Sequence, residues 1–130
     1  MRIRNTLTRI GKMLLICIIC FSLFGCNKTI KSIKVSNNQE FKVYKISNKN
    51  ELSNFLKELS WKTDKKPNIT GLPNITLNVK YKNQDKTVKY SVYIKSVGTA
   101  TIFSSDSKEG YANLNNTQTK KLKEIVKQNK

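Results

Sequence analysis

The chain is poor in the residue types that build most active sites and covalent cross-links. It has no histidine, three cysteines and two prolines among 130 residues, and no arginine follows Arg9. Without histidine the protein lacks the commonest metal ligand and general base. Without arginine it lacks the planar fork that binds phosphate bidentately. All three cysteines lie near the N-terminus, at Cys17, Cys20 and Cys26, so packing alone must stabilise the rest of the chain.

Carboxylates do not compensate for the missing histidine, because the eight acidic residues are spread along the chain. Asp106 and Glu109 are near enough in sequence to share a calcium ion, but calcium takes about six to eight oxygen ligands. Ser105 and Lys108 have the Ser-x-x-Lys spacing of penicillin-recognising serine enzymes, but the chain lacks the other motifs and the length of that fold. We therefore expect no catalytic residues, no metal site and no cofactor.

One long apolar run is present, Met13–Phe24, and it is too short to span a membrane. About a dozen residues at ~1.5 Å rise cover only ~18 Å of a ~30 Å bilayer core. A basic segment precedes the run and a small residue, Gly25, follows it, as in a secretory signal peptide. The basic residues are Arg2, Arg4, Arg9 and Lys12.

Leu23, Gly25 and Cys26 resemble a lipobox, the cleavage and lipidation site of bacterial lipoproteins; Phe24 departs from it, since the box favours a smaller residue there. The resemblance implies cleavage between Gly25 and Cys26 and a diacylglyceryl group on the Cys26 thiol. Two or more acyl chains anchor a protein stably where one is marginal. We therefore expect a signal peptide over residues 1–25, a lipidated cysteine and tether over 26–30, and a protein anchored on the extracellular side of a Gram-positive cell membrane.

The charge is strongly positive, +17 for the whole chain. Four of the 25 basic residues precede Cys26, so the mature part would carry 21 lysines against all eight acids, a net charge of +13. Such charge attracts anionic lipid, wall teichoic polymers and nucleic acid, in each case screened by salt. The alternative is compositional: lysine, asparagine and isoleucine are abundant together, as expected of an AT-rich genome.

Apolar alternation on both sides of residues 36–39 predicts a first hairpin, carried by Ile33, Val35, Phe41 and Val43. An amphipathic helix follows, with apolar residues at helical spacing at Leu52, Phe55, Leu56 and Leu59. Asn48 and Glu51 have the spacing of a capping box at its start. Trp61 is expected to close over the core, and residues 63–73 to form a surface loop.

Strict alternation predicts a second, longer hairpin with a turn at residues 83–85. Its inward residues are Ile75, Leu77, Val79, Tyr81, Val88, Tyr90, Val92 and Ile94. The outward residues form a candidate interaction face, which comprises Lys80, Lys82, Lys89, Tyr93 and Lys95. The alternative is a solvated face in a lysine-rich protein. Tyrosines and lysines could stack bases and follow phosphates, but the inward tyrosines make specific nucleic-acid binding unexpected.

Two further strands, residues 99–103 and 111–114, flank a turn at 106–110. A last helix begins at Asn115 or Asn116 and directs Leu122, Ile125 and Val126 inward. The order of elements predicts an α+β fold: an antiparallel sheet, a meander of four or more strands, with two amphipathic helices packed on one face. This single domain would occupy residues 31–130, after the N-terminal lipoprotein signal peptide.

The leader and lipobox, the helix ending near Trp61, the long hairpin, the Tyr111-x-x-Leu114 step and the terminal helix together resemble the small YhfM-like lipoproteins of Bacillus-type Gram-positive bacteria. The likeness covers most of residues 41–127 and consists of spacing and apolar pattern. It implies the lipoprotein architecture and no catalytic residues, since that family is itself uncharacterised.

The sequence therefore predicts a membrane-anchored lipoprotein that acts as a non-enzymatic accessory or protein-interaction module, with an envelope protein as partner. The alternative from another class is a polyanion-binding module, in which the lysine-rich face engages teichoic polymer or anionic lipid. Salt discriminates between them, because charge-driven binding falls steeply with ionic strength.

Overall fold

A computed structural model describes residues 29–82, 84 and 86–127. The predicted signal peptide, the cleavage site at Gly25 and Cys26, and most of the tether lie outside the described residues. The strands are β1 (Ile30–Asn37), β2 (Lys42–Ile46), β3 (Ile75–Tyr81), β4 (Thr87–Ile94), β5 (Ala100–Ser104) and β6 (Tyr111–Leu114). The helices are α1 (Lys49–Glu58), between β2 and β3, and α2 (Asn116–Ile125), after β6.

All six strands form one antiparallel sheet with the order β2-β1-β3-β4-β5-β6. Strands β3 to β6 follow one another as a meander, and the β1–β2 hairpin extends the sheet on the β3 side. The predicted α+β class, the antiparallel sheet and the two helices are confirmed. Because β1 pairs with β3, strands β2 and β6 form the edges of the sheet.

Alternate residues of the sheet form an inner face that is buried. One row of register partners on this face runs Val35, Leu77, Tyr90 and Ser104, from β1 to β5. The first three are fully buried. Burying an aliphatic or aromatic side chain of this kind stabilises a fold by about 1.5–3 kcal/mol. The apolar residues of both helices belong to the same buried cluster: Leu52, Phe55, Leu56, Leu122 and Ile125.

The two helices begin differently, and the predicted capping box of α1 is wrong. The Asn48 side chain makes no capping hydrogen bond to α1; its amide donates to the Ile125 carbonyl at 3.1 Å. A partner on α2 therefore replaces the local one. The complete capping box lies in α2, where Asn115 and Gln118 each accept a hydrogen bond from the other's backbone N–H, at 2.8 and 2.9 Å.

Trp61 closes over the core, as predicted. It follows α1, and its indole N–H donates to the Leu56 carbonyl at 2.9 Å. Its ring centroid lies 6.0 Å from that of Tyr90, and the side chain is partly buried against the core. The indole thus satisfies its polar atom on α1 while its apolar body packs against the sheet.

The first hairpin is confirmed, but two of its predicted apolar strand residues, Phe41 and Val43, are exposed. Phe41 lies in the turn with a positive φ of 54°. The inward residues of β2 are Tyr44 and Ile46, which pair with Val35 and Ile33. The turn comprises residues 38–41, not 36–39, and Asn37 pairs with Lys42. This register directs the even-numbered residues of β2 inward, because an offset of one residue reverses every side chain of a strand.

Residues 62–74, here called the crossing segment, form the predicted loop and are held against the sheet. Lys62 and Tyr111 exchange backbone hydrogen bonds of 2.7 and 3.0 Å at the edge strand β6. Farther along, the Tyr93 hydroxyl donates to the Gly71 carbonyl at 3.4 Å, and the Asn74 N–H donates to the Val92 carbonyl at 2.9 Å. The segment therefore passes from β6 to the start of β3 over the outer face.

Candidate interaction surfaces

The outer face carries a group of four exposed lysines, here called the lysine patch: Lys34, Lys45, Lys80 and Lys89. Lys45 lies directly opposite Lys34. Asn78 of β3 pairs with Lys34 on one side and with Lys89 on the other. Directly opposed residues have Cα atoms about 5 Å apart. The patch thus crosses strands β2, β1, β3 and β4 within about 15 Å.

Like charges directly opposite each other on a sheet are destabilising. Within the described ranges, none of the four lysines has a carboxylate in ion-pair contact, whereas Lys121 and Glu58 on the helices form an ion pair at 3.8 Å. The patch is therefore a local concentration of positive charge and not an ion-pair network. This arrangement favours an anionic partner.

The structure divides the predicted interaction face. Lys80 and Lys89 lie in the lysine patch, and Lys82 is exposed in the turn beside it. Tyr93 lies near the opposite end of β4, about 13 Å from Lys89 at ~3.3 Å per residue, and Lys95 follows the end of that strand, about 20 Å from Lys89. The predicted face is thus two surfaces.

Lys34 and Lys45 were missed by the sequence analysis. The position of Lys34 between two inward residues, Ile33 and Val35, was the available signal for its outward direction. Its proximity to Lys89 depends on the pairing of β1 with β3, which brings together residues far apart in the chain.

Tyr93 belongs to an aromatic cluster on the outer face, together with Phe103 and Tyr111. The Tyr93 and Phe103 rings meet edge-on, with centroids 5.6 Å apart and planes at 88°, and Phe103 lies 6.2 Å from Tyr111. The Tyr111 hydroxyl donates to Asp64 of the crossing segment at 3.0 Å. This part of the outer face is engaged within the molecule and so less available to a partner.

Three exposed apolar side chains form what we call the apolar end: Phe41, Leu72 and Val97, which are 93%, 85% and 70% exposed. They occupy three different connections, between β1 and β2, before β3, and between β4 and β5. These connections lie at the same end of the sheet, where the Asn38 N–H donates to the Asn74 carbonyl at 3.0 Å. Large exposed apolar residues at one end of a sheet make that end a candidate contact surface.

A hydrogen-bonded chain links the inner face to the β5–β6 turn. The Tyr90 hydroxyl donates to Glu109 Oε1 at 2.8 Å, and the hydroxyls of Tyr81 and Tyr90 lie 2.8 Å apart. Ser104 Oγ donates to the same carboxylate oxygen at 2.9 Å. Burial raises the pKa of both tyrosines, of Tyr90 most. The chain holds the turn against the sheet through neutral hydroxyls.

Ser105 and Lys108, the residues of the Ser-x-x-Lys spacing, lie in the predicted turn. Ser105 Oγ accepts a hydrogen bond of 2.8 Å from the backbone N–H of Lys89. The backbone N–H of Lys108 donates to Asp106 Oδ1 at 3.0 Å. Both residues line an open cleft of about 320 Å³. Their hydrogen bonds here fasten the turn to β4 and close the turn on itself.

Over residues 29–82, 84 and 86–127, no three acidic or cysteine side chains converge in a way that could hold a metal ion. No helix in this part of the chain has the length and apolarity needed to cross a bilayer.

No protein-family model, curated protein or solved structure matches the chain. The likeness to YhfM-like lipoproteins stays a prediction. The lysine patch lies near the start of β1, and the apolar end lies beyond the other end of that strand.

Proposed function

We propose that this protein is a lipid-anchored bacterial surface protein that acts by contact with another envelope protein, not by catalysis. The observation that carries the proposal is the apolar end, with three large exposed side chains in three connections at one end of the sheet. An aromatic side chain with positive φ, as at Phe41, is strained. Strained, exposed residues occur preferentially at functional sites.

The position of the apolar end relative to Cys26 supports this proposal. Strand β1 begins at Ile30, four residues after Cys26, and its eight residues extend about 26 Å at ~3.3 Å per residue. The apolar end lies beyond its far terminus. An anchor at Cys26 would thus hold the start of β1 near the membrane and direct Phe41 away from it, toward proteins.

We also infer that both helices cover the inner face, which leaves the outer face open. Helix α1 contacts β1, α2 contacts β6, and the helices contact each other. The inward Tyr44 donates its hydroxyl proton to the Val126 carbonyl at 2.7 Å. A sheet covered on one side by helices is a common α+β solution.

The contact is testable with a photo-crosslinking amino acid at position 41 in intact cells. We expect one discrete protein adduct that survives washing at high salt, and no such adduct when the probe replaces Ser107, which is exposed at the other end of the sheet. Phe41→Asn removes the aromatic ring and introduces a residue that tolerates positive φ. This variant should abolish co-purification of the same partner. Equal adducts at both positions would refute the proposal.

The anchor has its own test. Cys26→Ser should lose acyl labelling and leave the membrane fraction or remain unprocessed, because serine offers no thiol for the diacylglyceryl group. Acyl labelling of this variant equal to that of the unchanged protein would refute the lipoprotein assignment, whatever the crosslinking shows.

A second candidate function is polyanion binding, favoured by the lysine patch. Four exposed lysines that have no carboxylate of the described residues in ion-pair contact would attract teichoic polymer or anionic lipid. Binding of this kind should fall steeply as salt rises, whereas an apolar protein contact should persist. Phosphate-rich material that is retained by the protein at low salt and lost at high salt would support this candidate.

A further inference from the structure

We infer that the lysine patch faces the anionic lipid headgroups of the leaflet that holds the acyl chains of Cys26. This inference rests on the proposed lipid anchor and adds to it a partner surface and an orientation. The domain would lie tilted, with the anchor-side half of its outer face toward the headgroups and the apolar end away from them.

The first support is the distance from the anchor. Thr29, three residues after Cys26, accepts a backbone hydrogen bond of 2.9 Å from Lys82. Three extended residues span at most about 10 Å. Ser32, at the start of β1, pairs with Lys80. The acyl chains would therefore hold this side of the patch within a short distance of the headgroups.

The second support is the chemistry of the patch. Lysine is a compact, strongly hydrated charge on a flexible stem, which suits a fluid surface of phosphate groups better than one fixed phosphate. Lys34 and Lys45 lie directly opposite each other, an arrangement that an anionic surface would stabilise. Asn78, which lies between Lys34 and Lys89, and Ser32, which pairs with Lys80, are uncharged.

Among the acidic residues that the structure describes, Asp106 and Glu109 of the β5–β6 turn lie beside the patch and not within it. Asp106 follows Ser105, whose backbone N–H donates to the Lys89 carbonyl at 2.9 Å. The cleft that Asp106 lines also contains Lys86 and Lys108, so the local charge there remains positive. Glu109 is directed to Tyr90 on the inner face.

The acyl chains alone would hold the protein on the membrane, so the patch adds a preferred orientation and not attachment itself. A lysine close to an anionic surface strengthens attraction by roughly fivefold. Four lysines would then favour the patch-down orientation over its reverse by up to several hundredfold at low salt. The preference should decline at high salt, when the screening length falls to about 3 Å at ~1 M.

The test uses the acylated protein in vesicles, with one cysteine introduced for a fluorescent label. Thr87→Cys places the label on the outer face opposite Lys80, and Thr117→Cys places a matched label on exposed α2. Vesicles contain phosphatidylglycerol or only phosphatidylcholine, together with a headgroup-level quencher. Mass spectrometry confirms the acyl chains in each preparation.

We expect several-fold stronger quenching at position 87 than at position 117 in phosphatidylglycerol vesicles. This difference should be lost at ~1 M salt, in phosphatidylcholine vesicles, and when all four patch lysines are replaced with glutamine. Acylated protein whose position-87 label is indifferent to lipid charge would overturn the inference alone. Missing acyl chains would overturn the anchor as well. Glutamine-sensitive binding to purified teichoic polymer without lipid-dependent quenching would assign the patch to the polymer and overturn the inference.

Discussion

Substitution of Gly110 by alanine should detach the crossing segment from the edge of the sheet. Gly110 has a φ of 79°, and a Cβ built there overlaps with the Lys62 carbonyl oxygen and lies 3.0 Å from its carbon. Lys62 is the residue whose backbone exchanges two hydrogen bonds with Tyr111. The added methyl group therefore strains residue 110 and forces apart the one backbone bridge that joins residues 62 and 111.

The magnitude follows from two terms. A residue with a Cβ in the left-handed region costs about 1–2 kcal/mol. Loss of two net hydrogen bonds at ~0.5–1.5 kcal/mol each adds about 1–3 kcal/mol. We expect Gly110→Ala to lower the free energy of unfolding by about 2–5 kcal/mol, a large part of the ~5–15 kcal/mol that a domain usually has.

Two other glycines supply matched controls. Gly71 and Gly98 also have positive φ, 95° and 91°, but a Cβ at Gly71 meets nothing within 4 Å and one at Gly98 lies 3.6 Å from its nearest neighbour. Their alanine variants should lose only the strain term, about 1–2 kcal/mol. Urea unfolding followed by the fluorescence of Trp61, the single tryptophan, measures all three. A loss for Gly110→Ala equal to that for Gly71→Ala would refute the steric argument.

Three further predictions concern stability. Phe41→Asn should raise the urea midpoint, by about 0.5–1 kcal/mol in the free energy of unfolding, because asparagine tolerates the positive φ at that position; an unchanged midpoint would contradict the assigned strain. Asn115→Ala should cost about 1 kcal/mol by removing the capping box of α2, measured by thermal unfolding. Burial raises the pKa of Tyr81 and Tyr90 above the ordinary value near ~10. Their contribution to stability is thus full below about pH 10 and lost as the pH rises above it, and Tyr81→Phe should flatten that decline in urea titrations across pH; an identical decline in the variant would exclude this cause.

The elements followed from local patterns, because burial on one side imposes a period on the sequence. The alternation in β3 and β4 predicted which of their residues are buried and that the two strands pair. The helical spacing of α1 predicted its buried residues. The start of α1 could not be predicted in this way. Asn48 has two possible partners for its amide, and the one it takes, the Ile125 carbonyl, is 77 residues away.

The candidate surfaces were predicted only in part for the same reason. A hairpin brings Lys80 and Lys89 together through a short connection, so their common face could be inferred. Their neighbour Lys34 comes from a strand that precedes α1, and its place beside β3 is a choice of sheet order. Tyr93 shares their face by alternation but is removed from them by distance along the strand.

The sequence by itself determined the type and approximate position of each element and the excess of positive charge, since these depend on residue identity and on contacts between near neighbours. The tertiary structure alone decided the sheet order, the path of the crossing segment and the gathering of Phe41, Leu72 and Val97 at one end. These depend on pairings between residues far apart in the chain. Such pairings are selected by the fit of the whole core, which no local pattern encodes.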